Sequence, residues 1–183
     1  MVLYGLISSL PMQSLDGAPA ITEEEFFAAC DLYLNKAQKQ QLRDLTLHAD
    51  DASVFPAGSF AKKYAEWEIS FRNSIAKLRA QRLNLDPAAW LRADGSYESD
   101  ADRFSREAFQ SQNPLEREKL LDRARWNKIE ELSLGNLFNF NILCAYKLKL
   151  EIQWKWQNRS RKKPEENLDL AASEVRGKQE KAN

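Results

Sequence analysis

The stretch Tyr146–Trp156, YKLKLEIQWKW, decides the fold class. Polar and apolar residues alternate through it, so Leu148, Leu150, Ile152, Trp154 and Trp156 would share one face of a strand. Its composition points the other way. Lys, Leu, Glu and Gln favour helix, and no turn residue interrupts the chain between Asn141 and Gln157. A strand here would also lack an obvious partner elsewhere in the chain. We therefore read residues 136–158 as a helix, against the period of their second half.

The rest of the chain supports a mainly all-α fold, a helical bundle with one long central helix and a long C-terminal one. Residues 2–11 are apolar and fit either a short strand or a short helix. Thr22 and Glu25 form a capping-box pattern ahead of Phe26, Phe27, Cys30, Leu32 and Leu34. Asn35 marks a break, and KAQKQQLRDLTLH reads as a second helix. The Asp-, Pro- and Gly-bearing linker ADDASVFPAG leads into a long helix over residues 59–83. There Tyr64, Trp67, Phe71, Ile75 and Leu78 recur at spacings of three or four and mark a buried stripe. LDPAAWLR begins a short helix capped by Asp86, with Pro87 where its missing amide costs nothing. Ser99 and Asp102 mark another helix start. Asn113-Pro114 opens a further helix carrying Leu115, Leu121, Trp126, Ile129 and Leu132, and Gly135 ends or kinks it. Residues 1–159 make one domain, followed by a polar, poorly ordered tail over residues 160–183.

The totals narrow the function classes. Lys and Arg number 27 against 27 Asp and Glu, so no surplus of positive charge argues for a dedicated nucleic-acid binder. Cys30 and Cys144 lack a neighbouring Cys or His at metal-ligand spacing and read as reduced, partly buried thiols of a reducing compartment. The start MVLYGLISSLPM has no basic segment, and Gly5 and Ser8-Ser9 break its apolar run, so it is not read as an export signal. No apolar run of about 18 residues suggests a membrane span. Membrane contact is expected only through partners.

No catalytic, cofactor-binding or metal-binding set emerges. The single histidine, His48, beside Asp50 and Asp51, reads as a solvated residue at a helix end. Phosphate-binding Gly loops and the common hydrolase motifs are missing from the sequence. The carboxylates Glu66 and Glu68, with Glu130 and Glu131, would serve an enzyme only if their two helices faced one pocket.

Partner binding is the alternative to chemistry. Arg72, Arg79 and Arg82 lie at the edge of the central stripe, and Asn73 adjoins them. Trp154 and Trp156 stand about 200° apart on a helix, so at least one should approach the surface, where Trp marks binding patches. Arg159 heads a basic cluster at the end of that helix. EISFRN (Glu68–Asn73) and ELSLGN (Glu131–Asn136) share an acid, two apolar residues around a Ser, and a final Asn. The first reads as a packing segment with an Arg72–Asn73 edge open to a partner, the second as a hinge before the last helix.

Several segments together carry a family resemblance: LYGLISSLPM, ITEEEFFAAC, YAEWEISFRNSIAKLRAQRL, NPLEREKLLDRARWNKIEEL and FNFNILCAYKLKLEIQWKW. Over about residues 3–157 the chain resembles an uncharacterised bacterial family encoded among the genes of V/A-type ATPases, with NPLEREKLLDRARW the most specific part. That family is similar, more distantly, to the socket component of those ATPases, which is all-helical and seats the central stalk on the membrane rotor ring. The resemblance implies an all-helical, non-catalytic component between stalk and ring, cytoplasmic and peripheral to the inner membrane. A transient assembly factor or regulator of the same machine is the alternative. The chain is about half the length of that socket component, so its threefold helical repeat is not expected here.

Overall fold

A computed structural model describes residues 3–92 and 98–161. Among them are seven α-helices, one 3-10 turn and no strand, so the all-α reading holds. The helices are α1 (Leu3–Ser9), α2 (Glu23–Asp31), α3 (Lys36–Asp44), α4 (Phe60–Leu83), α5 (Ser99–Gln110), α6 (Pro114–Ser133) and α7 (Phe140–Arg161). The 3-10 turn, Pro87–Trp90, follows α4. The strand option for the N-terminal segment is corrected to helix α1, which buries Leu6. The polar segment beyond Arg161 lies outside the described residues.

Local sequence sets most helix starts. Thr22 and Glu25 exchange side-chain-to-backbone bonds at the head of α2. Asn35 and Gln38 do the same for α3, so the expected break is a cap. Ser59 caps α4 and Asn113 caps α6, with Pro114 at its first position. Helix α3 stops at Asp44, short of Leu45–His48, which run on as loop. Gly135 adopts φ 78° after α6, a backbone region that suits glycine.

Helices α4, α6 and α7 pack on one another. Helix α5 lies along α4 and α6, while α1 and α3 pack on α7. The stripe of α4 is interior: Tyr64, Trp67 and Phe71 are fully buried, with the Trp67 and Phe71 rings stacked at 4.7 Å. Burying side chains of this size contributes about 1.5–3 kcal/mol each.

Helix α7 explains its misleading period. Elements pack around it, so Leu148, Leu150 and Ile152 are all buried although they do not share one helical stripe. The intervening polar residues hold the N-terminal loops. Lys147 donates to the Leu45 carbonyl and pairs with Glu151, whose carboxylate accepts from the Leu47 amide at 2.7 Å. Gln153 donates to the Ser14 carbonyl at 2.9 Å, and the Tyr146 hydroxyl donates to the Pro11 carbonyl at 2.9 Å. No described helix is long and apolar enough to cross a membrane.

Candidate functional site

The second half of α4, the segment from Leu85 to Arg92, and α6 enclose an open cleft of about 840 Å³. Ile75, Ala76, Arg79, Ala80 and Leu83 supply the α4 wall. Leu85, Trp90 and Leu91 face them, and Glu118, Leu121 and Arg125 of α6 form the floor. Apolar side chains are left open at the rim: Leu83 is 68% exposed, Leu85 50% and Trp90 53%. Among the described residues, four arginines line the cleft, Arg72, Arg79, Arg92 and Arg125, against one carboxylate, Glu118.

Those arginines differ in how they are satisfied. Arg72 and Arg92 share one carboxylate, Asp50, at 2.8 and 2.7 Å. The Arg92 hydrogen bond, with Arg72 beside it, holds the Asp50 carboxyl below its ordinary range. Arg79 is exposed and has no hydrogen bond or ion pair among the described residues. Arg125 belongs to the interior.

Beneath the cleft a chain of charges joins α4, α6 and α7. Glu68 is fully buried and accepts from Arg125 Nε at 3.0 Å and Nη2 at 2.9 Å. Arg125 Nη1 donates to Asp122 at 3.0 Å. Asp122 also accepts from Lys155 at 2.7 Å and from the Trp156 indole at 2.9 Å. Lys155 and Arg159 both reach Glu118. Burial alone would raise the Glu68 carboxyl, but the Arg125 charge and the His48 and Arg125 hydrogen bonds outweigh it and hold the pKa below its ordinary value. Burial likewise opposes the Arg125 charge, and Glu68 more than offsets it. Buried charges persist only when paired and hydrogen-bonded in this way.

Several expected partner contacts are intramolecular. Asn73 is buried; its amide donates to the Arg92 carbonyl at 2.9 Å and its oxygen accepts from the Arg92 amide at 2.8 Å. With Arg72 on Asp50 and on the His48 carbonyl, the Arg72–Asn73 edge fastens two loops to α4; Asn73 is closed to a partner, while Arg72 still lines the cleft. Arg82 donates to the Phe109 carbonyl and lies over the Phe109 ring at 4.9 Å. Trp154 and Trp156 do point apart, Trp154 to the Ile21 carbonyl and Trp156 to Asp122, yet both are half-buried and internally bonded. Arg159 is exposed and lies over the Trp156 ring at 5.3 Å. Of the seven residues expected to meet a partner, Arg79 alone lines the cleft without a partner of its own among the described residues.

His48 is also corrected. It is a loop residue whose Nδ1 lies 3.2 Å from Glu68 Oε1, covering the buried pair rather than ending a helix. In ELSLGN, Glu131–Ser133 end α6 and Leu134-Gly135 form a turn braced by the Asn136 side chain, which accepts from Asn139 at 2.7 Å and Asn141 at 3.0 Å. The four carboxylates considered for catalysis are separately engaged: Glu66 pairs with Lys62, Glu68 with Arg125, Glu130 with Lys149 and Glu131 with Lys128. None of the four lines the cleft. Among the described residues no cluster of three or more His, Cys, Asp or Glu is arranged to hold a metal ion.

Sequence reasoning misses the importance of Glu68 and Arg125, although a signal exists. Glu68 sits inside the Tyr64–Trp67–Phe71 stripe, and Arg125 between Leu121 and Ile129. A charge in the middle of an apolar face calls for a buried counter-charge.

No curated protein and no solved structure matches the chain. Residues 103–170 match the family described as "Protein of unknown function (DUF2764)", a span that takes in α6, α7 and the Asp122, Arg125 and Trp156 part of the charge chain.

Proposed function

We propose that this chain is a non-catalytic helical component of a bacterial V/A-type ATPase, standing in the socket position and linking the central stalk to the membrane rotor ring. Its place is the cytoplasmic face of the inner membrane, reached through protein partners. The resemblance of its helical segments motivates the identity of the machine. The observation that supports a docking role is the cleft, where a cationic, apolar surface lies on a framework of three helices locked by buried ion pairs. A rigid base suits a part that transmits torque, because buried pairs and packed aromatics resist local deformation.

The test is isolation of the ATPase from cells carrying a tagged full-length chain, followed by quantitative mass spectrometry. One copy per enzyme is the expected result. Enrichment only on incomplete complexes would replace this reading with an assembly factor. An intact, fully coupled enzyme lacking the chain would end the proposal.

A further inference from the structure

We propose that the cleft between α4 and the Leu85–Arg92 segment receives an acidic amphipathic helix of a partner protein, with Arg79 as the charge that selects it. The proposal names the surface and the kind of partner for the docking role above, and rests on that role.

The dimensions fit a helix. The α4 wall runs from Arg72 to Leu83, a span of about 16 Å at the rise of an α-helix, which is about three turns. Along it stands Ala76, a small, half-buried residue that lets another backbone approach closely. Leu83, Leu85, Trp90 and Leu91 offer apolar surface at the rim and along the facing wall, suited to residues repeating at three and four on the incoming face. Such a rim extends the contact beyond what a small molecule in the cavity would cover.

The charges choose the partner's sign. Asp50 answers Arg72 and Arg92 together with one negative charge, and no described residue answers Arg79. Glu118, the one described carboxylate lining the cleft, is already held by Lys155 and Arg159. Among the described residues a basic helix would therefore meet uncompensated arginine, while an acidic one finds Arg79 open and the excess on the Arg72–Arg92 pair lining the same cleft.

The test is site-specific photo-crosslinking of the full-length chain in cells that encode it. Benzoylphenylalanine replaces Ala76, Leu85 or Ala89 in the cleft, and Leu137 on the distant α6–α7 turn as a control. Circular dichroism of each variant confirms folding, and exposed Leu85 and Ala89 guard against loss of the Ala76 variant. We expect the cleft positions to crosslink to one segment that mass spectrometry maps as an acidic amphipathic helix. Arg79→Glu should cut that yield about tenfold, and changing the facing acid to Arg should restore it. Adducts to a basic segment, to lipid, or to a second copy of this chain would overturn the proposal, as would no adduct from any cleft position. A cleft adduct on an acidic helix of a protein outside the ATPase would keep this inference and end the ATPase reading. Adducts to ATPase components from Leu137 alone would do the reverse.

Discussion

Replacing Arg125 by Met tests the buried ion pair that ties α4 to α6. The guanidinium presents Nε and Nη2 to Glu68 at 2.9–3.2 Å, and Glu68 is wholly shielded from water. Met keeps much of the aliphatic stem but none of the donors, and it loses the guanidinium that lies over the Phe71 ring at 5.1 Å. Among the described residues Glu68 then retains only His48, whereas Asp122 keeps Lys155 and the Trp156 indole. Stranding a buried carboxylate costs about 3–5 kcal/mol, a large part of a typical domain stability of about 5–15 kcal/mol. Urea unfolding followed by circular dichroism measures the loss.

The pH dependence gives the sign of the effect. In the native protein the folded pKa of Glu68 lies below the unfolded value of about 4.3, so its contribution is complete above that pH and fades as pH falls through the folded value. Without Arg125, burial raises the folded pKa above the unfolded one. The variant's penalty is then largest at neutral pH and is relieved as Glu68 takes up a proton. The gap between the two proteins should narrow from pH 7 toward about pH 4. Adding Glu68→Leu should recover most of the loss, about 2–3 kcal/mol, because no buried carboxylate is then left stranded. A loss under about 1 kcal/mol that does not vary with pH would mean that water reaches Glu68, and the buried-pair reading would be refuted.

Other perturbations probe separate parts of the fold. Asn73→Ala removes both bonds to the Arg92 backbone and should cost about 1–2 kcal/mol, with faster hydrogen exchange at the Arg92 amide as the local sign. Trp67→Ala empties the centre of the α4 stripe and breaks the indole bond to Asp100; a loss of about 3–5 kcal/mol is expected from thermal or urea unfolding. Cys30 and Cys144 are free and buried, and burial pushes both thiols up to about 12, so thiol reagents at mildly alkaline pH should label them only at the rate of unfolding.

Helix ends were more legible in the sequence than helix neighbours. Thr22 and Asn113 act through residues two or three positions away, and the α4 stripe repeats within one helix, so local reasoning reaches them. YKLKLEIQWKW resisted because a helix packed on several sides has no single apolar stripe, and its polar residues bind loops more than 100 residues away in sequence. The site was harder still. Arg72, Asn73 and Arg79 look alike as edge residues on a helical projection, yet Asp50 and Arg92 claim the first two through long-range contacts. Glu68 and Arg125 are 57 positions apart, and their meeting depends on how α4 and α6 pack.

The coupling role can be measured in membrane vesicles from a strain lacking the chain. ATP hydrolysis and ATP-driven ion uptake are recorded together, with and without the full-length protein supplied back. If the chain links stalk to ring, hydrolysis continues without it while uptake per ATP collapses, and uptake returns on re-addition. Unchanged uptake per ATP in its absence would contradict the coupling role.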